Sequence, residues 1–174
     1  TNAADVNAKP VAQFALAFII LHNKRVLDWQ RAYARDRTSF DMHADPMVGN
    51  LGHRDKVIGI VGASRVGRAL ISLLQPHGLR ILVHDPVKTD DELRGYGAEP
   101  TPLDALLAQS DVVSLHQPLL PETRKSFGAR EFALMKDDAL FLNTARGAIV
   151  DQDALIKAMA GGRLNAVLDV TDPE

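Results

Sequence analysis

The stretch Val57-Ile58-Gly59-Ile60-Val61-Gly62-Ala63-Ser64-Arg65-Val66-Gly67-Arg68-Ala69-Leu70 joins a β-branched apolar run to a glycine turn and then to a segment with helical spacing. A second apolar run, from Arg80 to His84, follows it and ends at Asp85. A strand, a tight turn, a helix, a second strand and an acid in this order are typical of a dinucleotide-binding unit.

Each position of the turn has a physical role in such a unit. Gly62 allows a sharp turn that a Cβ atom would obstruct, and Gly67 lets the following helix pack close to the strand. The helix directs its free N–H groups and the positive end of its dipole at a pyrophosphate. The expected middle glycine is replaced by Ser64, a small residue whose hydroxyl can donate to a phosphate oxygen. The alternative is a tight turn in some other α/β protein.

Asp85 indicates which dinucleotide is preferred. It lies 23 residues after Gly62, close to the ~20 expected for a carboxylate that binds ribose hydroxyls. Because a carboxylate repels the 2′-phosphate of NADP and no arginine follows directly, NAD is the predicted cofactor. Lys88 is near enough to keep NADP as the less favoured alternative.

Composition limits the partners. The chain has 174 residues and a net charge of −2, without the basic surplus that nucleic-acid binding favours. It has no cysteine, which is compatible with a reducing compartment, and we expect a cytoplasmic protein. The longest apolar run, 11–21, is too short to span a bilayer, so no membrane partner is expected.

Residues 5–35 are predicted to form one long helix in which Pro10 suits the first turn. The apolar residues at helical spacing are Val11, Phe14, Ala15, Phe18, Ile19 and Val26. Leu16 and Ile20 widen this face, which indicates burial against a partner or a missing domain, and we expect a homodimer. The His and Asp residues of 38–56 match no regular zinc spacing, so no metal is expected.

The remaining sequence alternates apolar strands with helical segments. Strands are predicted at 111–115, 139–143 and 165–168, with helices at 103–107, 130–136 and 151–160. This alternation predicts a Rossmann-like α/β fold, a doubly wound parallel sheet with helices on both faces. The polar residues just past the predicted strand ends are Ser64, Asp85, His116, Thr144, Arg146 and Asp169. Open α/β sheets bind ligands at this edge.

Four stretches together carry a family resemblance. They are Gly59–Arg68; Asp111-Val112-Val113-Ser114-Leu115-His116-Gln117-Pro118-Leu119 with Pro121-Glu122-Thr123; Asn143-Thr144-Ala145-Arg146-Gly147 with Val150-Asp151; and Leu168-Asp169-Val170-Thr171-Asp172-Pro173-Glu174. In these motifs the chain resembles the NAD-binding domain of the D-isomer-specific 2-hydroxyacid dehydrogenases, from about Pro10 to the end. Four ordered motifs are more specific than one glycine turn.

The resemblance implies a role for each matching position. The implied cofactor-binding residues are Gly62, Ser64, Arg65, Val66, Asp85, His116, Gln117, Pro118, Thr144, Ala145, Arg146 and Asp169. Among them, Arg65 and Val66 would offer backbone N–H groups to the pyrophosphate, and Asp169 would hold the nicotinamide carboxamide. The implied catalytic residues are Arg146, on the substrate carboxylate and keto oxygen, and Glu174, beside a catalytic histidine.

The chemistry of Arg146 agrees with this role, because a guanidinium can fork onto a carboxylate and stabilise a developing oxyanion. The implied histidine lies beyond Glu174, and His116 is a groove residue rather than the acid/base. We therefore expect residues 1–174 to be the cofactor domain of a longer enzyme whose substrate domain is absent. Two other classes stay open: a non-catalytic NAD(H)-sensing dimerisation module, and an S-adenosylmethionine-dependent methyltransferase.

Overall fold

The computed structural model describes residues 3–35, 52 and 55–173. The helices are α1 (Ala3–Asn23), α2 (Val26–Arg35), α3 (Arg65–Leu74), α4 (Asp90–Gly95), α5 (Leu103–Gln109), α6 (Ala129–Leu134) and α7 (Gln152–Ala160). The strands are β1 (Val57–Val61), β2 (Arg80–His84), β3 (Glu99–Pro100), β4 (Val112–Leu115), β5 (Leu140–Asn143) and β6 (Asn165–Leu168). The strands and helices after residue 56 alternate as the sequence predicts, except that β3 was not anticipated.

The six described strands form one parallel sheet in the order β3-β2-β1-β4-β5-β6. The order reverses between β1 and β4, and such a reversal opens a crevice at the carboxyl ends of the two strands. The predicted doubly wound parallel fold is confirmed. β3 escaped prediction because two residues at a sheet edge carry no detectable periodicity.

The core lies in two layers, one on each face of the sheet. Alternate residues of a strand point to opposite faces, so Ile58 and Ile60 pack against α1 and α3 while Val57 and Val61 face the other layer. On that second face, the rings of Phe127, Phe132 and Phe141 pack together under α5, α6 and α7. Both faces of the sheet are therefore covered.

The predicted single helix over 5–35 is wrong in two respects. It is interrupted at residues 24–25, where Arg25 takes a φ of 54° and its amide donates to the carbonyl of His22. A left-handed residue cannot continue an α-helix, so α2 starts afresh at Val26. Pro10 also lies inside α1 rather than in its first turn. The small residues Ala12 and Ala15 are fully buried, and α1 packs along α3.

The Gly62 turn generates a stability prediction with an internal control. Gly62 has a φ of 96°, and an added Cβ would lie 2.6 Å from the amide nitrogen of Gln117. Gly78 also has a positive φ, 65°, but nothing lies within 4 Å of its Cβ position. Gly78→Ala should lower the free energy of unfolding by the ~1–2 kcal/mol of left-handed strain alone, and Gly62→Ala should cost clearly more. Urea denaturation measures both, and equal losses would contradict the steric role of Gly62.

Candidate cofactor-binding site

A groove of about 420 Å³ opens at the carboxyl ends of β1, β4 and β5. Its lining comprises Ser64, Val66, His116, Gln117, Pro118, Leu119, Thr144, Ala145 and Arg146. Eight of these were predicted as cofactor-binding residues, and Leu119 is an addition. The groove lies at the reversal of strand order, where a doubly wound sheet binds its ligand.

The amino terminus of α3 forms one wall of this groove. Ser64 caps the helix, and its Oγ accepts a hydrogen bond from the amide of Gly67 at 3.4 Å. The backbone of Ser64 has a φ of −64°, which any residue adopts, so the substitution for the expected glycine introduces no strain. The helix begins at Arg65 and Val66, and the amides of a helix's first turn point out of its amino terminus. Together with the helix dipole they favour an anion such as a pyrophosphate.

Asp85 holds the glycine turn in place. Its Oδ2 accepts from the amide of Ala63 at 2.7 Å, and its Oδ1 accepts from the amides of Val87 and Lys88 at 2.9 and 3.2 Å. The carboxylate lies not in the groove but on a second cavity of about 300 Å³ beyond β2. Lys88 is the residue for which NADP was kept as an alternative cofactor. Its Nζ lies 2.7 Å from the Oε1 of Glu92.

Asn143 shapes the opposite wall of the groove, and the sequence assigned it no role. Its side chain is fully buried; Nδ2 donates to the carbonyl of Arg146 at 3.0 Å and Oδ1 accepts from the amide of Ala145 at 3.0 Å. These two bonds fix the turn that carries Thr144 to Arg146. Asparagine side chains often hydrogen-bond the backbone of a local turn. An asparagine at the end of a predicted strand is therefore the sequence feature that could have revealed this role.

Arg146 presents its charge at the surface of the groove. Arg146 is an exposed residue, and its Nη1 donates to the carbonyl of Ala145 at 2.6 Å. Among residues 3–35, 52 and 55–173, no carboxylate forms an ion pair with it. The positive charge is therefore available to an anionic ligand.

The segment after β6 crosses the same turn. A Cβ on Gly147 would lie 2.0 Å from the carbonyl carbon and oxygen of Thr171, so only glycine permits this approach. Asp169 anchors the crossing with its backbone, since its amide donates to the carbonyl of Asn143 at 3.0 Å. The side chain of Asp169 is exposed and does not line the groove. Glu174 lies outside the described residues.

His116 is a buried member of the groove wall. It is 4% exposed, its Nε2 lies 2.8 Å from Ser114 Oγ and its Nδ1 lies 3.4 Å from Thr144 Oγ1. Burial lowers the pKa of His116 from 6.5 to about 4, because a charged imidazolium loses its hydration there. The ring is therefore neutral at physiological pH and is a poor proton donor, which agrees with its expected structural place in the groove.

The described part of the chain has neither a cluster of potential metal ligands nor a membrane-spanning helix. Within it, no group of three or more His, Asp or Glu side chains is placed to hold a metal ion. Most of 38–56, with its His and Asp residues, lies outside that part. None of the described helices has the length and apolarity needed to cross a membrane.

The fold and the groove define a dinucleotide-binding domain, and comparison with known proteins gives its family. The sequence model of the D-isomer specific 2-hydroxyacid dehydrogenase NAD-binding domain matches residues 16–174. The chain belongs to this family, and its cofactor is NAD.

Curated relatives and solved structures agree with the family match. A glyoxylate reductase of Korarchaeum cryptofilum is 36% identical over 100% of this chain and 52% of its own length. A D-lactate dehydrogenase of Escherichia coli is 32% identical over 94% of this chain and 48% of its own length. The Aquifex aeolicus D-lactate dehydrogenase complexed with NAD and lactic acid superposes with a TM-score of 0.82, at 32% identity, over 95% of this chain and 48% of that one. The chain thus spans about half the length of the proteins it matches.

The buried state of His116 predicts a pH dependence. Its folded pKa of about 4 lies below 6.5, so the unfolded chain binds the additional proton and stability falls as pH drops from 6.5 towards 4. Over this pH range His116 should lower the free energy of unfolding by about 3 kcal/mol in total. The His116→Gln variant cannot bind that proton, so its stability should decline less steeply over this range in urea denaturation. A ring that titrates near 6.5 by NMR would contradict the assignment.

Proposed function

We propose that this chain is the cofactor-binding part of an enzyme that transfers hydride between NAD(H) and a small D-2-hydroxy acid or 2-keto acid. The observation that carries the proposal is the position of Arg146, an exposed residue that lines the same groove as the α3 amino terminus. One groove thereby offers a pyrophosphate site and, beside it, a cation suited to a carboxylate.

The residues of the groove fit the parts of the cofactor. The pyrophosphate would lie against the amides of Arg65 and Val66 and the hydroxyl of Ser64, with Gly62 keeping the turn sharp. The adenosine ribose would contact Asp85, whose carboxylate oxygens keep lone pairs beyond their bonds to the backbone. The nicotinamide end would lie between the His116–Pro118 turn and the Thr144–Arg146 turn, with Asp169 taking the carboxamide.

Arg146 would bind the substrate carboxylate and polarise the keto oxygen. Bound NADH supplies the hydride, and negative charge then develops on that oxygen, where a guanidinium stabilises it. Glu174 would pair with a catalytic histidine outside this chain and raise the pKa of its imidazolium, which delivers the proton. The close crossing of Gly147 by Thr171 supports this arrangement, because it directs the last motif towards the Arg146 turn.

The other two functional classes receive less support. The family match argues against a methyltransferase, in which the 143–147 and 168–174 motifs would have no role. A non-catalytic NAD(H)-sensing module would need no substrate-binding cation, whereas Arg146 is exposed at the groove. Turnover by the full-length protein distinguishes these two classes, because the enzyme would reduce a 2-keto acid and the sensing module would not.

We further propose a homodimer in the cytoplasm, formed through α1. Phe14, Phe18 and Leu21 are only half-buried along one side of α1, and the rings of the first two pack together with centroids 4.8 Å apart. Apolar surface of this kind favours a partner, and the rival occupant is a substrate domain of the full-length protein. Sedimentation of the full-length protein distinguishes the two, since a monomer at micromolar concentration would mean that α1 is covered within one chain.

Cofactor preference tests the role of Asp85. The chain should bind NADH at least about tenfold more tightly than NADPH, a difference of roughly 1.4 kcal/mol. Asp85→Ala should weaken NADH binding and reduce the difference in affinity between NADH and NADPH, because the carboxylate no longer accepts from ribose hydroxyls or repels a phosphate. Asp91→Asn, which removes a fully exposed carboxylate on α4, serves as the matched charge control. Isothermal titration measures all three proteins, and equal affinities for the two cofactors in the unmodified chain would contradict the assignment.

Turnover by the full-length protein tests Arg146 and Glu174. Arg146→Ala should lower both substrate affinity and kcat, and Arg146→Lys should recover only part, since an ammonium lacks the planar fork. Glu174→Gln should spare NADH binding and shift the pH optimum for keto-acid reduction downward, because the histidine then loses its proton at lower pH.

An unchanged pH profile would remove Glu174 from the mechanism. By the same argument, the 174-residue chain alone should bind NADH without turning over glyoxylate, hydroxypyruvate or pyruvate. Robust turnover by this chain would transfer the acid/base role to a residue within it, with His116 the nearest candidate.

A further inference from the structure

Three side chains form a hydrogen-bonded path from the core to the cofactor groove. Ser114 is fully buried on β4, and its Oγ lies 2.8 Å from Nε2 of His116. The other ring nitrogen, Nδ1, lies 3.4 Å from Oγ1 of Thr144. Thr144 lines the groove and Ser114 does not. The path therefore has one end in the core and the other at the groove.

The buried hydroxyl of Ser114 determines which atoms donate and which accept along this path. A buried O–H group without an acceptor is costly, and His116 Nε2 is the acceptor that the described structure places within reach of Ser114. Nε2 must then be unprotonated. A neutral imidazole carries its single proton on the other nitrogen, so Nδ1–H donates to Thr144 Oγ1. The hydroxyl proton of Thr144 is then directed away from His116 and is available to another acceptor.

We propose that His116 is a positioning residue whose Nδ1–H tautomer, set by Ser114, makes Thr144 a hydrogen-bond donor to the bound cofactor. This inference rests on the proposed function, because it places the cofactor at Thr144. The ribose and phosphate groups of a dinucleotide present oxygen acceptors. The opposite tautomer would point the Thr144 proton at His116 and leave only lone pairs facing those acceptors.

The burial of His116 favours this single tautomer. A ring that gained a second proton would donate from both nitrogens and break the bond from Ser114. The lowered pKa of about 4 keeps that state unpopulated at neutral pH. The path is thus held in one arrangement over the range in which a dehydrogenase works.

The tautomer is tested directly, without any cofactor. In the full chain labelled with 15N-histidine, long-range 15N–1H spectra should show His116 protonated on Nδ1 and not on Nε2. The signal is identified by Ser114→Ala, which shifts the Nε2 resonance by removing its partner. An Nε2–H tautomer in the unmodified protein would overturn the proposal.

The consequence for binding is tested with NADH. Thr144→Val keeps the shape but removes the donor, and it should weaken NADH binding about fivefold, the effect of one neutral hydrogen bond. Thr144→Ser should restore most of the affinity. Combining Ser114→Ala with Thr144→Val should weaken binding no further than Thr144→Val alone. Unchanged affinity in Thr144→Val, or additive losses in the double variant, would overturn the proposal.

A matched control separates this path from general damage to the core. Ser110 is also fully buried, and its Oγ donates to the carbonyl of Leu106 at 2.7 Å, at the opposite end of β4 from the groove. Ser110→Ala should lower stability and leave NADH affinity unchanged. If the unmodified chain binds no NADH, the proposed function fails. The NMR measurement of the His116 tautomer does not depend on NADH, and it still shows whether the path runs from Ser114 to Thr144.

Discussion

The close approach of the Gly62 turn to the backbone of Gln117 is the constraint on which the rest of the site depends. It brings the carboxyl ends of β1 and β4 together where the strand order reverses. A Cβ at Gly62 would lie 2.8 Å from the Cα of Gln117, so the contact is backbone against backbone. The α3 amino terminus and the His116–Pro118 turn form two walls of one groove because of this contact.

Side chains withdrawn from the groove hold its walls in place. Asp85 binds the amide of Ala63 in the glycine turn, and Asn143 binds both ends of the Ala145–Arg146 segment. Asn143 restrains the groove without facing it, whereas Asp85 restrains the glycine turn and, under the proposed function, also contacts the ribose. An Asp85 variant should therefore alter affinity by both routes, and an Asn143 variant by moving its neighbours.

Much of the fold followed from the sequence, because buried parallel strands are continuous apolar runs and their carboxyl ends share one edge. That rule placed six polar residues at one edge, and the groove contains four of them, Ser64, His116, Thr144 and Arg146. The other two lie outside the groove: Asp85 lines a neighbouring cavity and Asp169 is exposed. It failed where the signal is local and weak, at the two-residue strand β3 and at the left-handed Arg25 that divides the first helix. Ser114 and Asn143 were missed because their side chains point into the structure, where only three-dimensional neighbours reveal a role.

The most direct test of the account is a crystal structure of this chain with NADH. The account predicts the pyrophosphate at the amides of Arg65 and Val66, the adenosine ribose near Asp85, and the nicotinamide between the 116–118 and 144–146 turns. Density for the cofactor elsewhere, such as in the groove of about 540 Å³ beside β6, would contradict it. A nicotinamide directed away from Arg146 would equally remove the basis for hydride transfer to a 2-keto acid at this site.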